Sequence, residues 1–403
     1  MLGRLLRWAE TVAHLGVLVG GVGDRRVRPR IATAVVLRAV VLLFVTRLGS
    51  LNALEQTRRT GGWRRWLAAD LPSADSLGRI VSLVELEGLR LALRGLYQTL
   101  KRGKALGATS HGLFALVLDG HESHASYRRH CAGCLQRRVQ TRHGWRTQYF
   151  HQAVMAMLLC RPFPLILDVE PLRAGEGEIE AALRLLRRLL AHYPRAFDVC
   201  IADALYSDAR IYELLLEHHK DVLSVLKRNA AEVMADAVPL LDQLVEPQRL
   251  ERPRGDAIVA EVSVPWTAIG RPVRVVRSRE QTRVRRQLDG EVETVLSEWL
   301  WMTTLSPNRA VTAAVLELGH ARWLIENRGF NETANQWHAD HIYRHDANAI
   351  VAFTLLAAMT YNLFHAFWHR SLPAKLRLSY QHVAACCAAD LYQTAVATAG
   401  RSP

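Results

Sequence analysis

The chain has 403 residues, half of them apolar, enough for two or three domains around real buried cores, which excludes a disordered chain. Its net charge is +14, and the excess is uneven: residues 1–105 hold 18 Lys and Arg against 7 Asp and Glu. A cationic surplus gathered in one quarter of the chain favours a polyanion partner, most simply nucleic acid, although a solvated cationic face on a helical packing domain is the plainer alternative.

Residues 1–105 read as a helical, basic, DNA-binding region. The longest apolar stretch, IATAVVLRAVVLLFVTRLGS (31–50), is interrupted by Arg38 and Arg47. A membrane span does not carry arginine at its centre cheaply, so the stretch predicts a buried helix. MLGRLLRWAETVAHLG has no clean secretory apolar core or cleavage site, and the expectation is a cytoplasmic protein with no membrane partner. TRRTGGWRRW (57–66) reads as a cationic loop interleaved with tryptophans, offering Arg64 and Arg65 to phosphates. Pro72-Ser73 then signals a helix start, with Leu77, Ile80, Leu83 and Val84 at helical spacing and Arg79 placed to enter a groove.

From residue 106 strands and helices alternate, predicting an α/β domain with a mixed sheet and flanking helices in two parts, 106–229 and 306–372. LFALVLD is a fully buried strand ending at Asp119. TQYFHQAVMAMLLC and PLILDVEP follow as strands, IEAALRLLRRLLAHY as an amphipathic helix, and FDVCIAD as a second buried strand ending at Asp203. DARIYELLLEHH is a helix and DVLSVLKRN a strand. Residues 230–305, with AIVAEVSVPW, RPVRVVRSRE and SEWLWMTTL, read as a β-rich insertion. A helical pattern resumes through RWLIENRGFNETANQWH, and AIVAFTLLAAMTYNLFHAFWHR is a last apolar core helix. Residues 373–403 form a helical tail whose ATAGRSP end predicts fraying.

Two strands that end alike pose a chemical question. If they are neighbours, Asp119 and Asp203 emerge together, and bare like charges that close repel unless a cation sits between them. A hard divalent cation with oxygen ligands fits, Mg²⁺ especially, and a third carboxylate would allow a second ion for in-line displacement at phosphorus. Glu326 is the candidate, one helical turn after Arg322; an ordinary i,i+4 ion pair is the plainer reading of those two.

LVLDG, IADALYSDARIYELL and RWLIENRGFNE resemble the DDE transposases of bacterial insertion sequences, in the group with a β-strand insertion before the glutamate. The resemblance covers roughly residues 111–365. It implies an RNase H-like fold whose first strand carries Asp119, whose fourth carries Asp203 and whose late helix carries Glu326. Those three would act as catalytic residues and as ligands of two Mg²⁺ ions, for which Mn²⁺ can substitute. Arg322 would position a phosphate, and 230–305 would reach over the site to the DNA end. The implied partners are inverted-repeat ends of a mobile element and target DNA, with a homodimer in the DNA complex and association with the bacterial nucleoid when bound. The family pattern places tyrosine and lysine where this chain has Gly319 and Thr333, which keeps open a catalytically silent, transposase-derived DNA-binding protein.

Glu122, Asp168, Glu170, Glu176 and Glu178 are rival carboxylates near strand ends and helix starts. Asp168 reads as a structural cap or ion pair. Cys131 and Cys134 form a lone CxxC with His130 and His143 nearby, half of a zinc site at most without a second CxxC, and free thiols are the favoured reading. GEGE lacks the lysine and hydroxyl of a phosphate loop. A metal-free carboxylate pair for sugar hydrolysis leaves the basic N-terminal region unexplained.

Overall fold

The computed structural model describes the chain except residues 61, 245–247, 253–254, 287–289 and 400–403 and the side chains of 59, 60 and 394–399. Gly61 of the predicted cationic loop and the last residues of the predicted frayed end therefore lie outside the described residues. Two units interleave along the chain: one is Met1–Gly107, Gly120–Tyr193 and Glu326–Pro403, the other Ala108–Asp119 and Pro194–Ile325.

The first unit begins with helices α1 (Leu2–Thr11), α2 (Leu15–Gly20), α3 (Thr33–Val45), α4 (Leu51–Gln56), α5 (Trp63–Leu67), α6 (Ala74–Val81) and α7 (Leu86–Arg102). Arginine is tolerated in the apolar stretch around α3 because each copy has a partner: Arg38 pairs with Glu10, and Arg47 lies over the Trp337 ring at 5.1 Å. Among the described residues of the predicted loop, 57–60 and 63–66 are helical turns. A 3₁₀ turn (Thr57–Thr60) leads to α5, and buried Trp63 donates from Nε1 to the Thr57 carbonyl, so this tryptophan anchors the fold. As expected, Ser73 caps α6, accepting from the Ser76 amide.

Strand β1 (Ala115–Ser126) does not stop at Asp119. Its apolar half belongs to the second unit, while its half-buried residues 120–126 continue as strand into the first. There β2 (Leu135–Thr141), β3 (Gly144–Leu159) and β4 (Leu165–Pro171) form an antiparallel meander. The β2–β3 turn closes on Gly144 at φ 94°, a left-handed conformation that favours glycine. The sequence left β2 unassigned because its face is polar throughout; counting it, Asp203 follows the fifth strand of the chain and not the fourth.

Helix α8 (Glu178–His192) covers β3 and β4, with a buried ionic network between them: Asp168 accepts from Arg188 (2.6 Å) and Arg90 (3.2 Å), and Glu170 pairs with Arg184 and Arg188 at 2.8 Å. After α12 (Glu332–Trp337) comes α13 (Ala347–Arg370), long and apolar enough to cross a membrane by length and composition. Its most apolar stretch is 89% buried, against α3, α7 and β4. Asn362 closes both backbone groups of Ile166 in β4, at 2.9 and 2.7 Å, and so locks helix to strand. Helix α14 (Tyr380–Ala399) packs beside α1.

In the second unit β1 and β5 (Val199–Ala202) pair in parallel, as do β5 and β6 (Asp221–Val225). Strand β10 (Val292–Thr303) adds antiparallel to β6, followed by β9 (Arg271–Arg285), β8 (Gly255–Trp266) and β7 (Gln248–Arg252). The strands of 230–305 thus extend the same sheet. The first part of that segment is helix α10 (Ala231–Gln243), not strand, because Pro239 reads as a breaker yet is accommodated within it. Helices α9 (Ala209–Glu217) and α11 (Thr312–Ala321) complete the unit. Buried Glu280 on β9 joins α11 to the sheet: it accepts from His320 at 2.8 Å and Ser278 at 2.7 Å and pairs with Arg252.

Two predictions follow from these buried charges. Asp168→Ala removes one of the two carboxylates that balance the buried guanidiniums, leaving Glu170 alone against Arg90, Arg184 and Arg188, and is expected to lose about 3–5 kcal/mol in denaturant unfolding. Burial alone would raise the Glu280 carboxyl, but hydrogen bonds from His320 and Ser278 and the Arg252 charge outweigh it and hold the carboxyl at about 2. A folded pKa below the ordinary 4.5 means that its stabilisation is full above that pH and is lost as pH falls toward 2. Glu280→Gln should therefore flatten the acid limb and cost on the order of 3 kcal/mol near neutrality, read from urea midpoints at pH 3, 5 and 7.

Candidate active site

The two aspartates meet through register. Ala115, Leu116 and Val117 pair with Val199, Cys200 and Ile201 on a parallel neighbour. Asp119 and Asp203 each stand two residues beyond the last of these pairs, and Asp203 keeps extended backbone (φ −78°, ψ −176°). Side chains alternate along a strand, so both carboxylates leave the sheet on one face, Asp119 within β1 and Asp203 just past the end of β5, on strands about 4.8 Å apart. The apolar runs before them are fully buried and both aspartates are half-buried. That is where ligands gather in sheets of this kind.

Each aspartate is held. Asp203 accepts from the Leu205 amide at 2.8 Å, and the turn after it is pinned by Ser207, which bonds Ser224 (2.8 Å) and the Val225 carbonyl (3.1 Å). Tyr212 reaches the same Ser224 at 2.7 Å. Asp119 accepts from Arg322 Nη1 at 3.3 Å; that guanidinium is buried and lies 4.4 Å from the Trp323 ring centroid. Arg322 is thus committed to an aspartate and an indole inside the fold rather than presented on an outer face.

Glu326 belongs to the other unit. The helix predicted to run unbroken through it does not: α11 ends at Ala321, Arg322 caps it, and Ile325–Asn331 forms a π-helix before α12. Such wide turns recur at functional sites, and this one begins one residue before Glu326. The residues after it are tightly fixed. Phe330 stacks on His121 with centroids 4.4 Å apart, Thr333 bonds back to the Phe330 carbonyl at 3.1 Å, and buried Glu332 pairs with His365 (2.9 Å) and Arg328 (3.0 Å).

Gly319 and Thr333 now have physical reasons. A Cβ on Gly319 would come within 2.6 Å of the ring of buried Trp301, so no tyrosine fits there. Thr333 is buried, with its hydroxyl satisfied by the helix backbone, so a lysine there would strand its charge. The rival carboxylates are engaged: Glu122 grips Arg137 through both oxygens, Glu176 pairs with Arg184, Gln152 donates to Glu178, and Asp168 and Glu170 belong to the network above. A cavity of about 340 Å³ in the first unit is lined by His121, His124, Phe330 and Asp340. Burial pushes the His124 imidazole down to about 4, so this side chain is uncharged at neutral pH.

Among the cationic candidates Arg64, Arg65 and Arg79 are all exposed; Arg64 pairs with Asp70 at 2.8 Å and Arg65 lies over Trp66. A second cationic surface escaped the sequence reading. The β2–β3 hairpin exposes Arg138, Arg142 and Arg146, with Arg138 over Trp145 and Arg146 over Tyr127, and Arg128 and Arg129 precede it. The signal was the alternation of arginine with aromatic residues on either side of Gly144.

The family described as the transposase DDE domain matches residues 115–363. The chain belongs to this transposase family. The match opens at the first residue of β1, closes within α13 and takes in Asp119, Asp203 and Glu326; the first seven helices lie outside it. No curated protein matches the chain significantly. A transposase acts on DNA at the ends of mobile elements, and the enzymes of this family generally work with divalent metal ions. For this transposase, Gly319→Ala should lower the unfolding free energy by about 1–3 kcal/mol, and the midpoint with it, through overpacking against Trp301, more than alanine's helix preference returns. A midpoint equal to or above that of the wild type would refute the packing account.

Proposed function

We propose that this transposase cuts and joins DNA strands at the ends of its own insertion sequence, with Asp119, Asp203 and Glu326 as catalytic carboxylates holding two divalent cations. The observation that carries the reading is the in-register placement of Asp119 and Asp203 on adjacent parallel strands. The donor set fits: carboxylate oxygens on one sheet face suit a hard cation, and Mg²⁺ is the proposed one, with Mn²⁺ able to replace it. When bound, the ions would acidify the attacking oxygen and neutralise charge on the departing one.

The chain's own part is positioning. The Ser207–Ser224–Tyr212 bonds hold the Asp203 turn rigid, so its carboxylate needs little reorganisation. Arg322 steadies Asp119 and, in this reading, places positive charge beside the phosphate bound there. Residues 1–105 serve as the DNA-binding region, with Arg64, Arg65 and Arg79 on phosphates, and the arginines of the β2–β3 hairpin add a second backbone contact. In this reading 106–229 and 306–372 make up the catalytic domain, 230–305 reaches the DNA end and 373–403 is a tail. Synapsis of two ends calls for a homodimer on DNA, acting in the cytoplasm on the nucleoid.

The test uses the full chain and a duplex carrying the inverted repeat that flanks its gene. With Mg²⁺ or Mn²⁺ the wild type should nick at the repeat end, whereas Asp203→Ala and Glu326→Gln should reduce nicking at least about a thousandfold while binding the duplex equally well. Equal binding with no cutting by either protein would establish the silent, DNA-occupying alternative instead. Cutting that survives Glu326→Gln would remove that residue from the site.

A further inference from the structure

We propose that Cys131, Cys134, His151 and His345 form a four-coordinate zinc site, separate from the carboxylates. All four lie in the first unit, and their ligand atoms fall within 4.8 Å of one another. The individual spacings are those of a tetrahedron around one ion. Cys131 Sγ and Cys134 Sγ are 3.8 Å apart. His151 Nε2 stands 3.5 and 3.2 Å from the two sulfurs, and His345 Nε2 is 3.7 Å from Cys134 Sγ. Zinc bonds of about 2.3 Å to sulfur and 2.0–2.1 Å to nitrogen put sulfurs about 3.8 Å apart and sulfur and nitrogen about 3.5 Å apart.

The surrounding chain is shaped for this cluster. Residues 131–134 form a tight turn in which the Cys134 amide donates to the Cys131 carbonyl (3.1 Å) and the Cys131 amide points at Cys134 Sγ (3.2 Å). An amide aimed at sulfur favours the thiolate a metal needs. Gly133 lets the turn approach α13: a Cβ there would meet that of Ala347 at 2.7 Å, and Ala347 stands two residues beyond His345. His130 and His143, which flank the cysteine pair in sequence, are occupied elsewhere, one stacked on Tyr149 and the other bonded to Arg142. A disulfide needs sulfurs about 2.05 Å apart and no histidine at all, whereas here an imidazole nitrogen faces both thiols.

Four protein ligands with no open position make this a structural site. It would tie the base of the cationic β2–β3 hairpin, through His151 on β3, to the segment entering α13. The sulfur and nitrogen donors select zinc over the magnesium proposed for the carboxylates.

The experiment measures metal in the reduced full-length protein, without DNA, and so stands or falls independently of the cleavage reading. Elemental analysis is expected to give about one zinc per chain, and exchange with Co²⁺ to give the visible bands of a tetrahedral ion plus a thiolate charge-transfer band. Cys134→Ser and His345→Ala should each lose that signature, while Asp203→Ala and Cys386→Ser keep it. The wild-type cobalt spectrum needs no variant, so a misfolded mutant does not spoil the test. Folded, reduced wild type that takes up neither zinc nor cobalt overturns the proposal. So does a metal-free chain two hydrogens lighter, which would mark a Cys131–Cys134 disulfide. Full zinc retention and an unchanged cobalt spectrum in His345→Ala would refute the four-ligand set.

Discussion

Parallel pairing of β1 with β5 in a single register is the constraint on which the proposed chemistry of this chain depends. Two strands of unbroken apolar residues can exchange register without changing their burial, but only one register sets Asp119 beside Asp203. What fixes it lies at the strand ends. Asp198, just before β5, accepts from the Phe114 amide at 2.8 Å just before β1, and beyond β5 the Asp203 turn is bonded down onto β6. A one-residue slip would send one carboxylate to the opposite face, and the pair would no longer exist. The sheet therefore encodes the site by where its strands begin as much as by where they end.

Three clusters of buried carboxylates in this protein share one arrangement, in which the fold supplies the carboxylate with cationic partners. Asp168 and Glu170 meet three arginines from two helices. Glu332 meets His365 and Arg328, and Glu280 meets His320 and Arg252. Replacing such a network with apolar side chains often costs nothing, so its value lies in orientation more than in stability. Asp119 and Asp203 are held differently from these: a guanidinium donates to Asp119 and a backbone amide to Asp203.

What the sequence disclosed, and what it hid, has a physical pattern. LFALVLD and FDVCIAD were legible because an apolar run that ends abruptly in aspartate has few alternatives. Strand β2 was not, because LQRRVQT has only two apolar residues and exposes most of its positions, leaving no apolar face to read. Pro239 disguised α10 as a break. The π-helix at Glu326 escaped because one extra residue per turn leaves hydrophobic spacing nearly unchanged over so short a stretch. For Gly319 the residue was visible but its reason was not: only the fold reveals Trp301 against that position. His345 lies 211 residues from Cys134, and no spacing rule links them.

The two proposed metal sites differ in a way that bears on how either is to be observed. An oxygen-lined site with few protein ligands exchanges its ion readily and leaves room for water and phosphate. A closed site of two thiolates and two imidazoles releases its ion only as the turn around it opens, and its free energy of binding is then part of the free energy of folding. If both proposals hold, a chelator given to this protein removes two things on two timescales. Rapid loss of cutting, restored by Mg²⁺ alone, belongs to Asp119, Asp203 and Glu326. Slower loss accompanied by a lower melting temperature, restored only when zinc is supplied, belongs to Cys131, Cys134, His151 and His345. Because hard oxygen donors bind zinc too, excess zinc would itself inhibit cutting by competing at the carboxylates. Activity should therefore peak at one zinc per chain and decline beyond it, which a single-site protein would not do.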